Sequence, residues 1–143
     1  MDKSASIFNF LEAHKLGVIS TVSAAGSPES ALVAFTSDDS LCLYFQTKST
    51  TRKAANLARN PEVACVIGTT MEDMATLQFE GRALQITAQD EIEKIKQLFI
   101  ANDSPAKNFL EQPDIIFFKI TPTWISFSDY NKKPPVIVEL NGF

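Results

Sequence analysis

The spacing of hydrophobic positions changes period several times along the chain, and each change marks an element. Residues 4–15, SASIFNFLEAHK, put Ile7, Phe8 and Leu11 on one face of a helix, with Gly17 beyond its end. The runs GVISTVS (17–23) and SALVAFT (30–36) read as strands joined by AAGSPE, a Gly-Ser-Pro turn signal. SDDS makes another turn before the strand LCLYFQT (41–47). A helix over 51–60 follows, with Ser49, Thr50 and Thr51 as N-cap candidates and Asn60-Pro61 as its stop. The strand EVACVIG (62–68) comes next.

After the polar connection TTMED (69–73), ATLQFEGRALQIT (75–87) alternates over its length. Leu77, Phe79 and Gly81 face one way, Gln78, Glu80 and Arg82 the other, and Gly81 marks a bulge or bend. Thr87 and Asp90 resemble a capping box opening a helix over 88–102, whose Ile92, Ile95, Leu98 and Phe99 form an apolar stripe. Ser104-Pro105 starts a short helix that stops near Pro113. The chain closes with strands IIFFKIT (115–121), TWISFSD (123–129) and, after Pro134-Pro135, VIVEL (136–140). Short antiparallel hairpins with few helices predict a mainly β, α+β fold with peripheral helices. Six or so strands closed as a barrel would also remove vulnerable sheet edges.

Composition narrows the function. At 143 residues, 45% hydrophobic and 21% charged, the chain fits one globular domain over 1–143. A formal net charge of −4 argues against broad nucleic-acid binding, which needs a basic surface. No signal-like segment and no apolar run of about 18 residues appears, so a cytoplasmic protein without a membrane anchor is expected. Cys42 and Cys65 fall inside apolar strand runs and read as buried free thiols. His14 is the sole histidine. It reads as a helix-end or surface residue, and a metal site or Ser-His-Asp triad has little support.

One stretch stands out. TKSTTRKAANLARNP (47–61) places Arg52 and Lys53 in the first turn of a helix, where cations are unfavourable by roughly 0.3–1 kcal/mol each. An anion bound there would explain them. So would a solvated helix start paired with some of the chain's many Asp and Glu residues.

The order of elements, GSP between the first strands, YFQT, TTRKAANLARNP and LQFEGRA together resemble the pyridoxamine 5′-phosphate oxidase-like, FMN-binding split-barrel flavoproteins. The resemblance runs from about Phe10 to Phe127. It implies that Arg52 and Lys53 bind the FMN phosphate, with Thr51 and Thr47 as hydrogen-bond donors. It also implies that Leu32, Val33, Ala34 and Phe35 lie along the flavin ring, and that Gln78 hydrogen-bonds it. Gln46 is a further candidate on the same rim. Gln78 equally fits the solvent face of its strand, and Trp124 fits a core or interface position as well as a flavin contact.

Vitamin B6 phosphate oxidases carry basic residues at both ends of the second strand, where this chain has Ala31 and Thr36. They also have a C-terminal Arg-x-His signature, whereas this chain ends PPVIVELNGF. Little B6 phosphate oxidase activity is therefore expected, and no catalytic residue is singled out. The resemblance implies an FMN-dependent oxidoreductase on a small substrate, with a donor such as NAD(P)H. A flavin- or haem-binding protein without turnover, or an anion-binding module that has lost the cofactor, stands beside it.

A homodimer with flavin at its interface is the expected assembly. Phe117 and Phe118 point to opposite faces of one strand, as do Trp124 and Phe127 of the next, so both faces need cover. Either a second copy or the helices over 89–102 and 105–112 would provide it.

Overall fold

The computed structural model describes residues 2–68 and 74–143; the connection read at 69–73 lies outside the described residues. The first helix, α1 (Lys3–Ala13), starts where the Asp2 carboxylate accepts from the Ser4 N–H at 3.2 Å. Ile7, Phe10 and Leu11 form its buried face, and Phe8 is only partly covered. Strands β1 (Leu16–Val22) and β2 (Pro28–Ala34) form a hairpin. Its turn needs Gly26 at φ 82°, a region that costs glycine nothing. The strand begins earlier than the sequence pattern implied, so Glu29 lies within β2 opposite Thr21 and not in the turn.

Next come β3 (Thr36–Ser37), β4 (Leu43–Lys48), α2 (Arg52–Arg59), β5 (Glu62–Ile67) and β6 (Ala75–Ile86). Helix α3 (Gln89–Ala101), a 3-10 helix (Pro105–Phe109), β7 (Ile115–Asp129) and β8 (Val136–Asn141) complete the chain. The predicted Thr87–Asp90 capping box does not form. Ala88 occupies the N-cap of α3 with no side-chain cap bond, and Asp90 and Glu91 supply only first-turn charge.

All eight strands join one antiparallel sheet in the order β2-β1-β5-β6-β7-β4-β3, with β8 also on β7. The sheet curls into a split barrel. The two strands expected at 115–121 and 123–129 are one strand. Pro122 suggests a break in the sequence, yet it sits at a register shift where Gly81 faces Pro122 and Glu80 faces Trp124. Thr123 is the extra residue, and such a bulge tolerates proline because the ladder is already interrupted there.

The barrel interior holds Phe45 stacked on Phe118 at 5.1 Å, with Phe35 edge-on to Phe45 at 6.2 Å. On the other face of β7, Phe117 packs with Ile95, Phe99, Ala106 and Leu110 from α3 and the 3-10 segment. The chain's own helices therefore cover that second face, and Phe117 gives no argument for a partner subunit. Phe127 is likewise met from within the chain, its ring 5.0 Å from Phe10.

Gly81 has no room for a side chain, because a Cβ would run into the Thr121 carbonyl oxygen. Gly81→Ala should lower unfolding free energy in urea by about 1–3 kcal/mol, the usual scale of overpacking.

Candidate functional site

Thr51 governs the start of α2. Its hydroxyl accepts from the Ala54 N–H at 3.3 Å and donates to the Lys48 carbonyl at 3.0 Å. A hydroxyl has one hydrogen, so the 3.1 Å contact between the Thr47 and Thr51 hydroxyls uses the hydrogen of Thr47. Both threonines are thus spent on shaping the helix start. The N–H groups of Arg52 and Lys53, in the first turn, have no partner within the helix and point outward from its positive end.

The two basic residues differ in their surroundings. Arg52 is 75% exposed and pairs with Glu29 at 2.9 Å. Glu29 is held from its other oxygen by the Asn56 side-chain amide at 2.8 Å. Buried Asn56 donates also to the Thr21 hydroxyl at 2.9 Å, and accepts from Arg59 at 3.1 Å. Arg52 and Asn56 stand four residues apart, so one face of α2 meets one carboxylate on β2. Lys53 is half-buried and has no carboxylate partner among the described residues; its lost hydration pushes its ammonium pKa down.

Two cavities flank Lys53 and Thr51. One, of about 310 Å³, lies in the seam between β2 and β4 and is lined by Leu32, Val33, Ala34, Gln46, Thr47 and the rim residue Phe109. The edge of β2 away from β1 has no strand partner, so its backbone groups are open to this seam. The other, of about 260 Å³, runs beneath Arg52 to Ile19, Thr21, Glu29 and Ala31. A larger cavity of about 370 Å³ under α3 holds Lys96, but Glu111 at 3.0 Å and Glu93 at 3.7 Å already neutralise it.

Seven of the sequence-predicted residues thus come together: Val33, Ala34, Gln46, Thr47, Thr51, Arg52 and Lys53. Gln78 and Trp124 do not join them. Gln46 is level with Phe117 on β7, whereas Gln78 is level with Ser126. Across the sheet, Gln78 lies three strands from the cavity residue Leu32 in one cross-strand row, about 14 Å at about 4.8 Å per strand. Trp124 donates its indole N–H to Glu139 at 2.8 Å.

Sequence reading missed Glu29 and Asn56. Glu29 was hidden by the adjacent turn signal, while the Arg52–Asn56 spacing was visible.

His14 caps the end of α1, with its ring stacked on Phe10 at 4.0 Å and Nδ1 2.9 Å from the Phe10 carbonyl oxygen. Cys42 and Cys65 are free and buried, and burial pushes the Cys65 thiol up to about 12. No group of three or more metal-ligating side chains occurs among the described residues. No helix among them is long and apolar enough to cross a membrane.

The sequence agrees with this split-barrel architecture. The profile of the pyridoxamine 5′-phosphate oxidase family matches residues 4–129, and the chain belongs to that family. General stress protein 26 of Bacillus subtilis (strain 168) is 27% identical over 141 residues, 97% of each chain. The structure of General Stress Protein 26 from Bacillus anthracis str. Sterne has a TM-score of 0.74 at 25% identity, over 98% of this chain and 100% of that one. The heme binding protein from Mycobacterium smegmatis shares the fold, with a TM-score of 0.78 at 12% identity over 99% of this chain. The present chain covers 58% of that longer protein.

A desolvated Lys53 binds its proton less well in the folded than in the unfolded chain. Its cost is therefore fully present below its lowered pKa and fades as pH rises from there toward the ordinary lysine value. Lys53→Met should stabilise the ligand-free protein at neutral pH by roughly 0.3–1 kcal/mol, the scale of removing a cation from a helix N-terminus. Thermal melts across pH should show that advantage shrinking on the alkaline side.

Proposed function

We propose that this chain is an FMN-binding flavoprotein and an oxidoreductase on a small substrate, with its flavin phosphate on the start of α2. The observation that carries the reading is Lys53, a half-buried cation with no carboxylate partner among the described residues, facing the seam cavity. A phosphate would neutralise it and accept the N–H groups of the first turn. The unpaired edge of β2 and Gln46 offer polar contacts to a ring beside Val33 and Ala34. FMN, when bound, supplies the hydride or electron chemistry, with NAD(P)H as the candidate donor; the chain supplies binding and orientation.

Haem binding is the second reading, favoured by the fold shared with the heme binding protein. The side chains support it less. His14 is engaged at the end of α1, and both thiols are buried and hard to ionise.

The reading includes a homodimer. On the outer face of the sheet, Leu32, Val18, Val66 and Gln78 form one cross-strand row. Leu32 is 63% exposed and Val66 44% exposed, and Leu32 also lines the seam cavity. A second copy on this row would cover its apolar part and bring a Gln78 toward the partner's cavity, where its own chain cannot place one.

Replacing Arg52 and Lys53 together by Ala should weaken FMN binding by about tenfold to several hundredfold, since charge-assisted bonds contribute roughly 1.5–3 kcal/mol. The visible spectrum during FMN titration of parent and variant is the measurement. Equal affinities would sink the flavin site, and a haem spectrum with no flavin uptake would favour the second reading. Light scattering should give about twice the 15.8 kDa chain mass, and Leu32→Glu with Val66→Glu should bring it to one chain.

A further inference from the structure

Glu29 has no role in the site as described so far, yet its carboxylate is the most firmly placed charge beside it. It is 22% exposed, against 75% for its partner Arg52. One oxygen takes the Arg52 guanidinium at 2.9 Å and the other the Asn56 amide at 2.8 Å. Asn56 cannot easily move, being buried and tied to Thr21 and Arg59. The carboxylate therefore stays with β2 and α2, while the long, exposed arginine is free to turn.

We infer that Glu29 is an internal counter-anion that competes with an incoming phosphate for Arg52, leaving Lys53 to set most of the net affinity. This rests on the flavin-phosphate reading above. In the ligand-free protein Arg52 already has an anion. On binding it exchanges Glu29 for phosphate, or shares itself between them, and a like charge is brought beside a fixed carboxylate. Both effects cancel much of what a free arginine would contribute. Lys53 makes no such exchange, because it has no carboxylate partner among the described residues to give up. Adjacent residues of the same sign thus have different tasks. Arg52 with Glu29 staples the first turn of α2 to β2, and Lys53 anchors the ligand.

The test is FMN titration by calorimetry on the full chain, freed of bound cofactor, for the parent, Glu29→Gln, Arg52→Met, Lys53→Met and the Glu29→Gln/Arg52→Met double variant. Glutamine keeps the contact with Asn56 and releases Arg52, so Glu29→Gln should tighten FMN by about three- to tenfold, the scale of an exposed charge pair. Arg52→Met should weaken parent binding less than about fivefold, but at least about tenfold when Glu29 is already Gln. Lys53→Met should weaken it by about ten- to a hundredfold in either background.

Melting of the ligand-free Glu29→Gln protein should occur at or below the parent temperature. A purely structural glutamate would lower stability without tightening the ligand. If Glu29→Gln does not fold, Glu29→Ala, which also removes the charge beside Arg52, replaces it with the same sign expected. Unchanged or weaker binding in the glutamate variant, or equal losses from Arg52→Met in both backgrounds, overturns the inference alone. A parent that takes up no FMN overturns the flavin reading and this inference with it.

Discussion

Backbone pairing along β7 organises the sheet, because the strand pairs with β6 along one edge and divides the other between two partners. Residues before the bulge take β4, and residues after it take β8. The change of partner needs the extra residue at Thr123 and the bare backbone of Gly81 opposite. With β4 held at one end of β7, β2 at the far end of the strand path comes to lie across from it without a ladder between them. The resulting seam is where the barrel is open, and the cavity lined by Lys53, Val33, Ala34 and Gln46 lies in it.

Electrostatics at that seam follow from the way α2 is placed. Thr51 and Thr47 spend their hydrogens on the turn before the helix, and the buried Asn56 fixes the helix against β1 and β2. Arg52 is left at the surface with Glu29, and Lys53 is turned into the space between strands. Lys53, at the second position of α2, is half-buried with no carboxylate partner among the described residues. Burial without such a partner among them makes Lys53 the charge that an anion would relieve most.

Ala31 and Thr36, expected at the two ends of the second strand, are not its ends: Ala31 lies mid-strand in β2 opposite Ile19, and Thr36 opens β3, because β2 starts earlier than the sequence pattern implied. Ala31 opens the cavity beneath Arg52. Thr36 is buried and accepts from the Asn102 side chain at 2.6 Å, tying the end of α3 to β3. That position contributes a structural bond in this chain, while the positive charge is concentrated on α2.

Most elements could be read from the residues because local signals agree with the tertiary outcome there. Alternation in 75–87, the Gly26 turn, the Thr51 cap and the basic pair of α2 each act within a few residues of themselves. The errors have the opposite character. Pro122 looked like a break because proline removes a ladder donor, and only the register against Gly81 shows that the ladder is already interrupted there. Phe117 needed cover that either the helices or a second copy could give, and only packing shows that α3 and the 3-10 segment give it. Seven of the candidate residues fall together around the two cavities because they lie in two short segments, 33–34 and 46–53. Glu29 and its hold on Arg52 were not legible, since a contact spanning 23 residues is set by the pairing of β1 with β2 and the docking of α2, not by local sequence. The sequence by itself determined where charge and strand propensity lie; tertiary packing decided which lysine or arginine keeps its charge uncompensated, because only packing brings a distant carboxylate within reach of one and away from the other.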